Sequence, residues 1–272
     1  MIQAPHPQAH GDRLAEPRVI RRLAIGADQL AMDFESVRDY VPDDDVRQVN
    51  WRATARLGRP MSNQYRVEQD RDVVCVVDTG RLMAAPLRDR TRLDAAVDAV
   101  AAIAVVADEL GDRCGVVAFD AAVRRDLAPR RRASRAVIHA VYDLEPTPVE
   151  SDYELAFRRV GDAKRSLVLV LTDLLEEAAA RPLVDAVPLL ARRHAVVVAS
   201  AADTDLGEAV RREPQTPVDV YAASVALDVL AARARVTAQL RHAGAEVLEA
   251  PPESLAAACV GAYLRAKARA RL

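Results

Sequence analysis

Aromatic side chains are scarce: Phe, Tyr and Trp make up 4% of the 272 residues, and Trp51 is the one tryptophan. A core must therefore be filled by Ala, Val and Leu, for which an apolar content of 51% suffices. Cysteine is nearly absent. Cys75, Cys114 and Cys259 have no metal-ligand spacing, and the first two sit in apolar surroundings. That pattern fits buried thiols in a reducing compartment and argues against a disulfide framework. Of ten glycines, no two lie closer than Gly111 and Gly115, which excludes a G-x-G-x-x-G fingerprint and a phosphate-binding loop. There is no G-x-S-x-G elbow and no H-E-x-x-H. The longest apolar run, 95–107, is broken by Asp98, well short of the ~18 residues of a membrane span. No signal-peptide core opens the chain. The expectation is a soluble cytoplasmic chain without a span, membrane-associated only if a span precedes residue 1. Charge of one sign is also lacking. Lys plus Arg is 38 and Asp plus Glu 40, which gives no pull toward nucleic acid or anionic membrane.

What is present centres on residues 71–80. Val73 to Val77 is a short apolar run ending on Asp78, Thr79 and Gly80. Such a run reads as a strand buried on both faces, as in a parallel sheet. In open α/β sheets ligands bind at the carboxyl ends of strands, which is where Asp78 falls. Further strands are expected at 113–119, 166–171, 195–200 and 245–248, with an antiparallel partner at 123–128. Helices are expected at 93–110, 134–144, 151–160, 182–193, 220–242 and 253–268. Ser151 to Glu154 has the form of a capping box. Buried strands alternating with helices predict one doubly wound, mostly parallel sheet.

Three segments follow from the composition. Residues 1–17, with three prolines, His6 and His10, read as a flexible tail. Residues 18–70 are rich in charge and poor in aliphatics, so they must pack on another surface, with Trp51 as the expected anchor. Residues 71–272 form the main domain.

Acids recur at predicted strand ends: Asp78, Asp173, Asp203 and Asp205. Clustered carboxylates suit a hard cation such as Mg²⁺ or Mn²⁺, and each acid equally reads as the cap of the helix that follows it. Arg81 would favour ionised Asp78 or neutralise the site without metal. His139 and His194 read as structural. No nucleotide or organic cofactor is implied.

The segment Phe34 to Pro42 through Asp44-Asp45-Val46-Arg47, then Asn50-Trp51-Arg52-Ala53-Thr54-Ala55-Arg56, resembles the signature of the bacterial domain-of-unknown-function family DUF58. Its signature positions here are Arg38, Tyr40, Asp44, Asp45, Arg47, Trp51 and Arg56, and Asp43 departs from the usual glycine. In that family the signature precedes a domain resembling von Willebrand factor type A. Residues 73–83, Ser151 to Tyr153 and 169–174 are similar to that domain in order and spacing. The resemblance implies a Rossmann-like three-layer sandwich with a short antiparallel strand and a β-rich N-terminal appendage. It also implies a metal-ion-dependent adhesion site of the form Asp-x-Ser-x-Ser. Asp78 matches its first acid, Asp173 its last, and Ser151 or Asp152 its threonine. Gly80 and Leu82 replace the two serines, so the site is degenerate. Asp78, Thr79, Gly80, Arg81, Asp173, Asp203 and Asp205 would then form a partner-docking edge. The implied function is a non-enzymatic adaptor working with a MoxR-type AAA+ ATPase in protein assembly, maturation or stress response. The alternative is a metal-dependent hydrolase or nuclease using the same carboxylates.

Overall fold

Strand alternation places Val73, Cys75 and Val77 on one side of the central strand and Val74 and Val76 on the other, and all five are buried. Each side chain removed from water contributes roughly 1.5–3 kcal/mol. A strand with two buried faces demands layers on both sides of its sheet, and the chain supplies them. The computed structural model describes residues 32–41, 49–67, 71–161, 165–174 and 177–269.

The N-terminal unit is an antiparallel hairpin of β1 (Met32–Asp39) and β2 (Met61–Val67), with helix α1 (Trp51–Leu57) between them. The main unit begins with β3 (Asp72–Asp78), a 3-10 turn at Arg81–Ala84, and the short strands β4 (Pro86–Leu87) and β5 (Arg90–Thr91). It continues through α2 (Arg92–Glu109), β6 (Arg113–Phe119), β7 (Val123–Arg130), α3 (Ser134–Val141), α4 (Tyr153–Gly161) and β8 (Ser166–Leu171). Then come α5 (Glu177–Ala191), β9 (Ala195–Ala201), α6 (Thr204–Arg211), α7 (Pro217–His242), β10 (Glu246–Ala250) and α8 (Pro252–Ala268).

The sheet order is β10-β9-β8-β3-β6-β7. Every pair is parallel except β6 with β7, which is antiparallel. The expected α/β class and the single antiparallel strand are thus both present. One core lies under α2, α3 and α8, the other under α4, α5 and α7. Small residues make the first possible: α2 contributes six alanines to it and packs on α8. β7 alternates half-buried and exposed residues, and its outward Arg124, Asp126 and Arg130 discourage pairing with another chain.

Several boundaries differ from expectation. α5 starts at Glu177 and holds Pro182 and Pro188 inside it, because burial of Leu183, Val187 and Leu190 outweighs the lost hydrogen bonds. α7 starts at Pro217, set by a capping box of Thr216 and Asp219. α6 was not expected, since its eight residues bury none of their side chains. Trp51 does not anchor this segment to the rest of the chain. Its side chain is 70% exposed, and α1 buries no residue. α1 is instead held by its Asn50 cap and by Met61 N–H donating to Thr54 Oγ1 at 3.0 Å. Arg56 lies in its last turn, where a cation suits the helix dipole. Arg38 and Tyr40 are half-buried at the end of β1, and Tyr40 N–H donates to Pro60 O at 3.0 Å. Asp43, Asp44, Asp45, Arg47, and the tail with His6 and His10, lie outside the described residues. All three cysteines are buried and free, and burial pushes the Cys259 thiol up to about 12.

Candidate functional site

The carboxyl ends of β3, β6, β8 and β9 meet at one edge, and the strand-end acids gather there as expected. Asp78 ends β3 and is 2% exposed. Its Oδ1 accepts from Gly80 N–H at 2.8 Å and from Ser151 Oγ at 2.5 Å. Its Oδ2 accepts from Thr172 Oγ1 at 2.7 Å and contacts Tyr153 Oη at 3.0 Å. Tyr153 Oη and Thr172 Oγ1 are themselves 2.7 Å apart, so two hydroxyl protons serve three short contacts. A carboxylate has about four acceptor positions, and all four of these are occupied by the chain itself. Burial first, then the charge of Asp78, pushes the Tyr153 phenol well above its ordinary pKa, which keeps it a proton donor.

The loop 145–152 is fastened across this carboxylate. Thr147 N–H donates to Thr79 O at 2.7 Å, Arg81 N–H to Val149 O at 2.9 Å, and Asp152 N–H to Asp120 O at 2.9 Å. Thr147 Oγ1 donates to Asp120 Oδ2 at 2.8 Å. Thr79 is buried, its hydroxyl donating to Phe119 O at 3.0 Å. The expected capping box at Ser151 does not form. Asp152 takes the cap, accepting from Leu155 N–H at 3.0 Å, because the Ser151 hydroxyl is turned to Asp78. Gly80 is what admits this close approach. A Cβ there would lie 2.1 Å from Ser151 Oγ and 2.9 Å from Val149 O.

Asp173, at the end of β8, has different partners. Its Oδ1 accepts from Leu174 N–H at 2.9 Å and from Arg233 NH2 at 2.8 Å, with Arg92 NH1 at 3.2 Å. Both arginine side chains are 3% exposed. Burial pulls the Arg92 pKa below its ordinary value while Asp173 and Asp203 act the other way. Asp203 Oδ2 lies 3.8 Å from Arg92 NH2, and its Oδ1 caps α6 by accepting from Asp205 N–H at 3.0 Å. Asp205 is an exposed acid in the first turn of α6. So of the strand-end acids Asp203 is a helix cap, while Asp205 sits in the first turn of α6 and donates its N–H to that cap. Arg81 pairs with Glu150 at the surface, where Arg81, Leu82, Val149 and Glu150 line a small recess over Asp78.

Mg²⁺ takes about six oxygens in a near-octahedral shell. Asp78 has its acceptor positions filled, Gly80 leaves no room for a serine, and Asp173 is flanked by two guanidinium groups. Asp173 Oδ2 is the one carboxylate oxygen of this pair without a hydrogen-bond partner among the described residues. Among the described residues no three His, Cys, Asp or Glu side chains cluster in a way that could hold a metal. The residues present do not fit the ion.

Sequence reasoning passed over Arg92, Arg233, Tyr153 and Thr172 as members of the site. Arg92 is a cation at the amino end of a helix, where the dipole disfavours it. Arg233 interrupts the buried stripe of Ala226, Val236 and Leu240 on α7. Both anomalies were legible in the sequence as buried charges in need of acids.

The match to the family described as "Protein of unknown function DUF58" runs over residues 36–245. The chain belongs to the DUF58 family. Relatives in Mycobacterium bovis and Mycobacterium tuberculosis, both uncharacterized, are 25% identical over 194 residues, covering 66% of this chain and 60% of theirs. The match of this DUF58 chain thus spans less than two thirds of the length of those relatives. Among solved structures, a mutant of the PilB minor pilin from Streptococcus sanguinis has a TM-score of 0.51 at 11% identity, covering 79% of this chain and 66% of that one. That likeness is one of fold. The SpRpn10 VWA domain has a TM-score of 0.42 at 14% identity, covering 71% of this chain and 94% of that one. The strand order and antiparallel edge strand of this DUF58 chain are those of a doubly wound, mostly parallel sheet. No helix among the described residues is long and apolar enough to cross a membrane.

Proposed function

We propose that this chain is a non-enzymatic protein-interaction module that docks a partner at the carboxyl edge of its sheet, the partner being a MoxR-type AAA+ ATPase. The adhesion site at that edge is degenerate and serves as scaffold. The observation that carries the reading is the commitment of the edge acids to internal contacts. Asp78 holds three hydroxyls and a loop, and Asp173 holds two arginines. A hydrolase or nuclease needs such carboxylates open to a substrate or its ions. What remains outward over Asp78 is a rim of mixed chemistry, with Arg81, Leu82, Val149 and Glu150. Such a rim suits electrostatic selection of a protein partner. The ATPase is the partner implied by membership in DUF58.

Pull-down of a MoxR-type ATPase from the same genome by the purified chain tests this. Retention by the parent chain and its loss with Arg81→Glu plus Val149→Asp is the expected outcome. Equal retention by both chains would place the contact elsewhere.

A further inference from the structure

The geometry points to arginine in the place of metal: Arg92 and Arg233 supply the positive charge at this edge, so its docking state does not depend on a divalent cation. The inference rests on the reading of the edge as a docking surface only for its consequence, not for its chemistry.

Three observations converge. Arg92 opens α2, at the positive end of the helix dipole, and is buried there. Arg233 lies on a different helix, yet both guanidinium groups reach the same oxygen, Asp173 Oδ1, at 3.2 and 2.8 Å. Arg92 NH1 also donates to Ala201 O at 2.8 Å, and Arg233 NH2 lies 3.4 Å from both Ser200 Oγ and Ala201 O. Two fixed cations thus face two acids, Asp173 and Asp203. The charge that a cation would supply is already present, and a second one would be repelled. The other acid, Asp78, needs none, since N–H and hydroxyl donors surround it. A metal-dependent site can open and close as its ion comes and goes. An arginine-filled one is held in a single state by covalently attached charges.

The test is thermal unfolding of the full chain in EDTA and in millimolar Mg²⁺ or Mn²⁺, combined with a double-variant cycle of Arg233→Met and Asp173→Asn. A site-bound cation at a hundredfold its dissociation constant raises Tm by roughly 5 °C or more. The expected result is coincident curves in EDTA and in either ion. The cycle is expected to be non-additive. Arg233→Met alone lowers Tm by removing one of the two cations that compensate the buried Asp173 carboxylate, and adding Asp173→Asn restores part of the loss. A cation-dependent rise of several degrees, or additive losses in the cycle, would overturn the inference. The cation titration uses the parent chain, so it decides even if a variant does not fold. Failure of partner binding would sink the proposed function and leave this result untouched.

Discussion

Asp78 is the residue on which most of the site depends, and its role is structural before anything else. Asp78→Ala leaves the hydroxyls of Ser151, Tyr153 and Thr172 without their shared acceptor. Two of them, on Tyr153 and Thr172, are buried. Urea denaturation should show a loss of about 3 kcal/mol or more, since each orphaned donor costs roughly 1–3 kcal/mol. Gly80→Ala should cost roughly 1–3 kcal/mol through overpacking. Adding Ser151→Gly should recover part of it, because the Oγ that the new Cβ meets is gone. Titration gives an independent handle. His194 is buried, and neither ring nitrogen has a hydrogen-bond partner among the described residues. Burial first, then Arg193, pulls its pKa below the ordinary value. Below about pH 6.5 the unfolded chain binds the proton that the folded chain refuses, so stability falls as pH drops from there toward the depressed value. For Asp120, burial acts upward, but the Ala122 N–H, the Thr147 hydroxyl and Arg124 outweigh it and hold the carboxyl below its usual range. Its contribution is present above about pH 4 and is lost as pH falls through the depressed value. Unfolding free energy measured from pH 7 to 3 should therefore decline in two stages. His194→Asn should flatten the first alone.

The elements show how a loop and two helices turn a sheet edge into a fixed surface. The loop 145–152 is fastened to Thr79, Arg81 and Asp120 by backbone bonds, and α2 and α7 are tied to Asp173 by one arginine each. α1 lies at the other extreme. It exposes Trp51 and buries none of its side chains, so Trp51→Ala should change stability by no more than about 0.5 kcal/mol. A loss of several times that by calorimetry would mean the indole is buried against something. Legibility in the sequence follows the same division. β6 and β8 were readable to the residue, because continuous apolar runs have one solution in a parallel sheet. α6 was not, since an eight-residue helix with no buried side chain leaves no apolar stripe to read. Trp51 does not pack within the chain, because a lone aromatic residue says nothing about which surface it meets. Asp78 and Asp173 were readable as strand-end acids, but the hydroxyls on Asp78 and the arginines on Asp173 come from 60 to 94 residues away along the chain and carry no local pattern.

At the scale of the molecule, a doubly wound sheet presents one edge, and in this chain that edge is neutralised from within. Two cores of small aliphatic side chains hold the strands, and hydroxyls and arginines hold the strand-end acids. A surface so fixed suits docking, in which the cost of ordering is met at folding instead of at binding. The central claim is that this edge binds a protein partner. It is tested most directly by isothermal titration of the chain with a MoxR-type ATPase of the same genome, in EDTA. The account predicts a complex with Kd on the order of 1 µM, weakened about tenfold or more by Arg81→Glu plus Val149→Asp. No heat of binding at tens of micromolar, or equal affinity for the parent and the edge variant, would contradict it.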